Sequence, residues 1–140
     1  MTVFLDANVL FSAALGGSTF KLIFELAEKG RFELVTSEYC YLEAATNLQR
    51  KRPASAATLD QLMLEIRRVP HGRPLHLTKA QALLPEKDAP VLAAALTANA
   101  DCLVTGDRKD FGHLMAHNEL GIRVCTPRDF LLSGPPDKTF

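Results

Sequence analysis

The chain has 140 residues and a mass of 15.4 kDa, which is the size of one domain with a substantial hydrophobic core. Its 47% hydrophobic and 23% charged residues are typical of a globular protein and exclude a disordered or fibrous chain. Sixteen basic and sixteen acidic residues cancel, so any attraction to nucleic acid, membranes or acidic partners has to be local.

Cysteine usage and the N-terminal sequence predict a reducing, cytoplasmic location. Cys40, Cys102 and Cys125 are scattered, odd in number and contain no CxxC pair, which disfavours disulfides and a cysteine zinc site. The N-terminus has no basic region and reaches Asp6 too early for a signal peptide. No apolar run approaches the ~18 residues of a membrane span, so we expect no membrane contact.

The first segment of the chain predicts a strand, a helix and a second strand. Residues 2–5 are apolar without alternation, which is typical of a strand covered on both faces, and Asp6 after them could simply begin a turn. Apolar residues recur at helical spacing from Ser18 until Gly30 supplies a stop. A strand is predicted over 32–35.

Two helices are predicted next, and each follows a serine that can cap it. Ser37 precedes a helix that reaches about Arg50 and carries Glu43 close to its predicted buried face. Ser55 precedes a second helical pattern that ends at Pro70, so the two helices would form a hairpin. The apolar residues expected to face the core are Leu42, Ala45, Leu48, Leu59, Leu62, Met63 and Ile66.

The second half of the chain begins ambiguously. Residues 73–87 mix a possible short strand or connector with a weak helical stretch, and their structure stays open. An Ala-rich helix follows Asp88, with Pro90 in its first turn. The remaining predicted elements are a strand over 102–105, a short helix within 111–120, a strand over 122–125, a short helix from Pro127 and a loose tail over 133–140.

The order of these elements predicts the fold class. Strands alternate with helices, and no hairpin dipeptide joins two strands, which indicates a mainly parallel sheet with helices on both faces. The chain has no internal repeat and no linker. We therefore expect one α/β domain over residues 1–132.

Four acidic residues fall where such a sheet collects ligands. Asp6 and Asp107 follow predicted strands, Asp88 begins the helix leading to the second of these strands, and Glu43 lies about two turns into a helix. Singly, they could be turn, cap or solvated residues. Together at one rim they would repel one another unless a cation lay between them, and a set of oxygen ligands favours Mg²⁺ or Mn²⁺ over zinc.

Four segments resemble the PIN domain family, in the same order: VFLDANVL, TSEYCYLEAATNL, EKDAPVLAAAL and LVTGDRKDF. With TPRDFL near the end, the resemblance spans roughly residues 2–130. It implies a three-layer α/β/α sandwich around a parallel sheet. It also implies a Mg²⁺- or Mn²⁺-dependent nuclease that acts mainly on RNA and leaves 3′-hydroxyl and 5′-phosphate ends.

The resemblance also assigns roles to individual residues. It implies an acidic quartet that holds the metal and carries out catalysis, namely Asp6, Glu43, Asp88 and Asp107. It further implies supporting polar residues at Asn8, Ser37 and Thr105 and an outer carboxylate at Asp110.

A local basic region is available to bind the RNA. Residues 49–73 hold six basic and two acidic residues, a net charge of plus four on a chain whose formal net charge is zero. These side chains could contact phosphates without reading sequence, or could be solvated helix ends. The predicted RNA contacts are Arg50, Lys51, Arg52, Arg108 and Lys109.

Three functional hypotheses follow. A small single-domain PIN ribonuclease resembles the toxin of a bacterial toxin–antitoxin pair, which implies an antitoxin-like inhibitor as partner and leaves a homodimer open. The second hypothesis is a PIN module that binds RNA or protein without cutting. The third is a metal-dependent phosphatase on a similar sheet, which the sequence disfavours because Asn8 stands where a second aspartate is required.

Overall fold

The computed structural model describes residues 1–116 and 118–133. In chain order its elements are β1 Thr2–Leu5, α1 Ala7–Ala14, α2 Ser18–Glu28, β2 Glu33–Ser37, α3 Glu38–Lys51, a 3₁₀ turn Pro53–Ser55, α4 Ala56–Met63, β3 Arg67–Val69, α5 Pro74–Gln81, α6 Ala89–Thr97, β4 Cys102–Val104, α7 Arg108–Met115, β5 Arg123–Cys125 and α8 Pro127–Ser133.

The five strands form one sheet in the order β3-β2-β1-β4-β5, and every neighbouring pair is parallel. Val3 of β1 lies beside Leu34 of β2 on one side and Cys102 of β4 on the other. Right-handed crossovers put the helices between β1 and β3 on one face and those between β3 and β5 on the other. The predicted three-layer α/β/α fold with a parallel sheet is confirmed.

The core lies between the central strands and the helices that cover them. Phe4 of β1 and Leu103 of β4 are fully buried, as a strand covered on both faces requires. On one face α1 packs against α3 and α4, and on the other α5 packs against α6. The chain crosses α6 closely at Gly72, where an added Cβ would lie 2.5 Å from the backbone carbon of Ala93.

Helix α1 begins directly after Asp6, where the sequence predicted at most a turn. Its buried residues share one side of the helix, but the segment has only eight residues, which is too few for the sequence to show a clear helical period. One carboxylate oxygen of Asp6 accepts a hydrogen bond of 2.6 Å from the backbone N–H of Ala7, which caps the helix. Asp6 is therefore both the end of a strand and the start of a helix.

The second helix of the predicted hairpin, expected to run from Ser55 to Pro70, is shorter than predicted. Helix α4 ends at Met63, and the chain then forms β3 at the edge of the sheet. The Arg67 and Arg68 side chains pair with Glu33 and Glu38 at 3.0 and 2.9 Å. A three-residue edge strand with charged side chains gives no β pattern in a sequence, although such charges protect an exposed edge.

Helix α3 has the predicted bounds but a different buried face. Leu42, expected in the core, is 53% exposed, whereas Cys40, Ala44 and Leu48 are fully buried. Glu43 lies at the border of this buried face and is itself exposed, on the side of the helix that lines the cleft.

Two segments of the second half, 73–87 and the C-terminal tail, can be compared with the expectations from the sequence. The open stretch 73–87 forms α5, with Pro74 in its first turn, so it is neither a strand nor a plain connector. Ser133 ends α8, and the rest of the predicted loose tail, 134–140, lies outside the described residues.

Among the described residues, no single helix is long and apolar enough to cross a bilayer. Helices α1 and α2 together reach that length and composition, but they bend by 103° where they meet.

Candidate active site

The sheet order places a crevice at its centre. From β1 the chain continues to β2 on one side, whereas β4 lies on the other side and continues to β5. The carboxyl ends of β1 and β4 therefore flank the point where the strand order reverses, which is where open parallel sheets bind ligands. Asp6 follows β1, and Thr105 to Asp107 follow β4.

A cleft of about 240 Å³ opens at this point, and its lining includes all four residues of the predicted quartet. Asp6 comes from the end of β1, Glu43 from α3, Asp88 from the start of α6 and Asp107 from the start of α7. The fold thus brings together four carboxylates that are up to about a hundred residues apart in the chain.

Asp6 is buried and hydrogen-bonded on both oxygens. Besides the Ala7 N–H, its carboxylate accepts from the hydroxyl of Thr105 at 2.7 Å and from the amide of Asn8 at 3.2 Å. Burial raises the pKa of Asp6, the bonds from Thr105 and Ala7 oppose that rise, and the negative charges of Glu43 and Asp107 add to it.

Asn8 and Thr105 join the two strand ends. The side-chain oxygen of Asn8 accepts from the backbone N–H of Gly106 at 2.8 Å, and the Thr105 hydroxyl accepts from the backbone N–H of Asp107 at 3.1 Å. These two residues, predicted to support the acids, fix Asp6 and Asp107 relative to each other.

Ser37 sets the start of the helix that carries Glu43. Its hydroxyl accepts from the backbone N–H of Cys40 at 3.1 Å and so caps α3. Partial burial raises the pKa of Glu43, and the nearby charge of Asp88 raises it further, while Lys87 lowers it. Asn47, one turn beyond Glu43, also lines the cleft and was not predicted.

Asp88, Asp107 and Asp110 form the closest group of acids, with one carboxylate oxygen from each lying within 4.8 Å of the others. Asp107 caps α7 by accepting from the backbone N–H of Asp110 at 3.0 Å. Asp88 occupies the N-cap position of α6 as expected, but its side chain makes no capping hydrogen bond. Its carboxylate is therefore free to face the cleft.

Lys87 lies among these three acids, and the sequence interpretation missed it. Its ammonium donates hydrogen bonds of 2.9 Å to Asp88 and 2.9 Å to Asp110, and lies 4.0 Å from an oxygen of Asp107. Burial raises the pKa of Asp88, whereas Lys87 holds the pKa of Asp110 below its usual range. The one available signal was a lysine directly before Asp88 in EKDAP.

The model of the PIN domain family matches residues 2–109. The chain belongs to the PIN domain family. A sequence comparison with curated proteins finds no match.

Solved structures of similar fold include VapBC toxin–antitoxin proteins. The VapBC2 structure from Rickettsia felis, bound to a DNA fragment from its promoter, has a TM-score of 0.70 at 15% identity over 89% of this chain and 97% of that one. VapBC-1 from nontypeable Haemophilus influenzae has a TM-score of 0.63 at 18% identity over 91% and 99%. The Mycobacterium tuberculosis toxin VapC20, which cleaves the sarcin-ricin loop, has 0.56 at 14% over 76% and 91%.

The donors in this PIN domain fit a hard divalent cation. Carboxylate oxygens are the ligands that Mg²⁺ and Mn²⁺ prefer, and three of them lie close enough to share an ion. Cys40 lies near, with its sulfur 3.9 Å from Asp6, but burial raises the pKa of its thiol to about 12. It is therefore protonated at neutral pH in the metal-free protein, and the carboxylates carry the negative charge of the site.

The predicted RNA contacts are spread over a wider surface than the cleft. Lys51 lines the cleft, and its ammonium lies 6.0 Å from the centre of the Phe11 ring. Arg52 donates to the backbone carbonyl of Lys51, and Arg108 lies 3.7 Å from Asp129. Arg50, Arg52, Arg108 and Lys109 are not part of the cleft lining.

Proposed function

We propose that this PIN domain, over residues 1–132, is a ribonuclease that hydrolyses RNA phosphodiesters with Mg²⁺ or Mn²⁺. The observation that carries the proposal is the convergence of four carboxylates on one cleft at the reversal point of the sheet. Crowded carboxylates raise one another's pKa and destabilise the native state unless a cation compensates them. A bound cation would offset this repulsion, so the crowded carboxylates indicate that a cation is part of the function.

Each acid has a distinct part in the proposed site. Asp88, Asp107 and Asp110 offer oxygens close enough to hold one cation, and Asp6, held by Thr105, lines the same cleft and would add its charge to the site. A bound divalent ion supplies an activated water and neutralises phosphate charge. Because the pKa of Glu43 is raised, its carboxylate accepts a proton more readily than an ordinary glutamate does.

Helix α3 supplies the proposed contacts to the RNA backbone beside the acids. Asn47 and Lys51 follow Glu43 by four and eight residues, which is about 6 and 12 Å along a helix axis. An amide donor and an ammonium at these positions can bind phosphates next to the scissile one without reading the bases.

The biological role that we propose is the toxin of a toxin–antitoxin pair. The solved structures of similar fold include a toxin–antitoxin complex and a toxin that cleaves the sarcin-ricin loop, although at these identities they show only the fold. A mainly apolar groove of about 400 Å³ between α1, α2 and α4 offers a surface for a partner protein. Phe20, Phe24 and Leu62 line it. An antitoxin-like inhibitor is the proposed partner, and a homodimer remains an open alternative.

Labelled RNA tests the proposed activity directly. Cleavage should stop in EDTA and return with Mg²⁺ or Mn²⁺, and Asp6→Asn, Glu43→Gln, Asp88→Asn and Asp107→Asn should each lose activity on the order of 10²-fold or more while remaining folded. Asp60→Asn is the matched control, because Asp60 lies on α4 and contacts Tyr41 outside the cleft. Cleavage that persists in excess EDTA would contradict the proposal.

The RNA assay, run together with an assay on a chromogenic phosphate ester, separates the two other hypotheses. RNA that is bound but never cut, with or without metal, would identify a binding module. Hydrolysis of a chromogenic phosphate ester without cleavage of RNA would identify a phosphatase.

A further inference from the structure

We propose that Lys87 is a displaceable internal counter-ion, which competes with the divalent cation for the carboxylates of Asp88 and Asp110. The inference rests on the proposed function, because it takes these carboxylates to be metal ligands. It adds a residue that controls how tightly the metal binds, and it can be tested without any RNA.

The first support is the position of the ammonium. It donates to an oxygen of Asp88 and to an oxygen of Asp110, both at 2.9 Å, and lies 4.0 Å from an oxygen of Asp107. These are the three acids whose oxygens lie within 4.8 Å of one another. The ammonium thus engages carboxylates of the same three residues that a bound cation would need.

The second support is the contrast in exposure. The side chain of Lys87 is 65% exposed, whereas those of Asp88, Asp107 and Asp110 are 11%, 21% and 18% exposed. A long side chain that reaches into the cluster from solvent can swing out without disturbing the core. Ion pairs with one exposed partner are also weak, so they break readily.

The third support is the anchoring of the Lys87 backbone. The hydroxyl of Tyr39 donates a hydrogen bond of 2.7 Å to the carbonyl oxygen of Lys87. This bond ties the backbone to α3, so release of the ammonium needs only rotations within the side chain. The displaced lysine stays at the cleft, which its side chain lines.

The charges make the two cations mutually exclusive. A divalent ion among the three carboxylates repels an ammonium at hydrogen-bonding distance from the same oxygens. Metal binding must therefore break both ion pairs of Lys87, and the affinity for metal is lower than the carboxylates alone would give. Removing the lysine charge should raise that affinity.

Mn²⁺ binding, followed from the electron paramagnetic resonance signal of the free ion, tests this inference. Lys87→Gln should bind Mn²⁺ more tightly than the wild type, by about threefold to tenfold, which is the range expected for loss of weak ion pairs. Lys87→Arg keeps the charge and should stay close to the wild type. Lys51→Gln is the matched control, because Lys51 lines the same cleft but contacts the Phe11 ring.

Equal or weaker binding by Lys87→Gln overturns the inference. An equal gain in Mn²⁺ affinity by Lys51→Gln also overturns it, because this would indicate a general effect of charge. The absence of Mn²⁺ binding by the wild type and all three variants overturns it as well. If Lys87→Gln binds Mn²⁺ more tightly but the wild type does not cleave RNA, the inference about Lys87 is supported and the proposed nuclease activity is contradicted. Metal-dependent RNA cleavage by the wild type, together with unchanged Mn²⁺ binding by Lys87→Gln, would support the proposed nuclease and overturn the inference about Lys87.

A second measurement uses the wild-type protein, in case the variant does not fold. In EDTA the hydrogen-bonded ammonium of Lys87 should give a resolved ¹⁵N–¹H signal, assigned by its loss in Lys87→Arg. Saturating Mg²⁺ should shift or broaden that signal while the other lysine signals stay in place. A signal of Lys87 that is unchanged at saturating Mg²⁺ overturns the inference.

Discussion

At the scale of single residues, the acids of the cleft differ in how their charges are compensated. Asp6 accepts hydrogen bonds from Ala7, Asn8 and Thr105, Asp107 caps α7, and Asp88 and Asp110 pair with Lys87. Within the described residues, Glu43 makes no hydrogen bond or ion pair with its side chain. Among the acids of the cleft, Glu43 is therefore the one whose carboxylate has no direct partner in the described part of the protein.

This difference predicts the effect of Glu43→Gln on stability in EDTA. The pKa of Glu43 is raised by partial burial and by Asp88, so its contribution to stability is fully present below the unfolded pKa of about 4.3 and is lost as pH rises through the folded pKa. Glu43→Gln has no carboxylate at this position, so it does not lose this stability as pH rises. We expect it to melt at a higher temperature than the wild type at pH 7.5 and at a similar temperature near pH 4.

The control for this prediction is Glu25→Gln, on the exposed side of α2 and away from the cleft. It should change the melting temperature little across the same pH range. A Glu43→Gln protein that melts lower than the wild type at pH 7.5 would mean that Glu43 stabilises the native state as a charged residue.

At the scale of elements, two serines that the sequence treats alike have different roles. Ser37 is fully buried and accepts from the backbone N–H of Cys40, whereas Ser55 occupies the N-cap position of α4 without a capping hydrogen bond from its side chain. Both precede a helical pattern, so the sequence favours both as caps. Only the backbone geometry at each serine distinguishes them.

Ser37→Ala should lower the free energy of unfolding by about 0.5 to 2 kcal/mol, because it leaves the N–H of Cys40 without its cap. Ser55→Ala is the matched control and should change it much less. Urea unfolding followed by circular dichroism measures both values. Equal losses in the two variants would show that the Ser37 hydroxyl contributes nothing specific to α3.

Short elements are also where the sequence interpretation failed. Helix α1 has only eight residues, and β3 is a three-residue edge strand with two arginines, so neither is long enough to show a clear periodic pattern in the sequence. Helix α3 was predicted correctly because its cap, its length and the proline after it are local signals.

At the scale of the whole molecule, the five basic residues between positions 50 and 68 fall into two groups. Arg67 and Arg68 pair with acids at the edge of the sheet, and the guanidinium of Arg68 also lies 4.1 Å from the centre of the Tyr41 ring. The group at the end of α3, Arg50, Lys51 and Arg52, includes the cleft residue Lys51. Of the two groups, only the second therefore contributes a residue to the cleft.

We therefore predict that replacing Arg50, Lys51 and Arg52 together by Gln weakens RNA binding and flattens its salt dependence. Each lost phosphate contact should reduce the slope of log affinity against log salt by about 0.7 for single-stranded RNA, because fewer counterions are released. Fluorescence anisotropy at several salt concentrations measures the slope. Arg67→Gln combined with Arg68→Gln is the control, and an unchanged slope in the triple variant would identify the α3 group as a solvated helix end.

The sequence by itself determined the parallel α/β fold, the family and the residues of the acidic quartet. These features depend on local signals: apolar runs that end in acids, helix caps, and motifs such as LVTGDRKDF that keep their order along the chain. The sequence also placed Asp6 and Asp107 at strand ends. It could not show that these two strands are neighbours.

The tertiary structure decided which residues meet. Val3 and Cys102, 99 residues apart, become partners in adjacent strands, and this pairing brings Thr105 to the carboxylate of Asp6. The position of the Lys87 ammonium among three acids from the starts of two helices was likewise invisible in the sequence. Such contacts depend on strand order and on how far a side chain reaches across a cleft, and neither property is encoded in the spacing of residues along the chain.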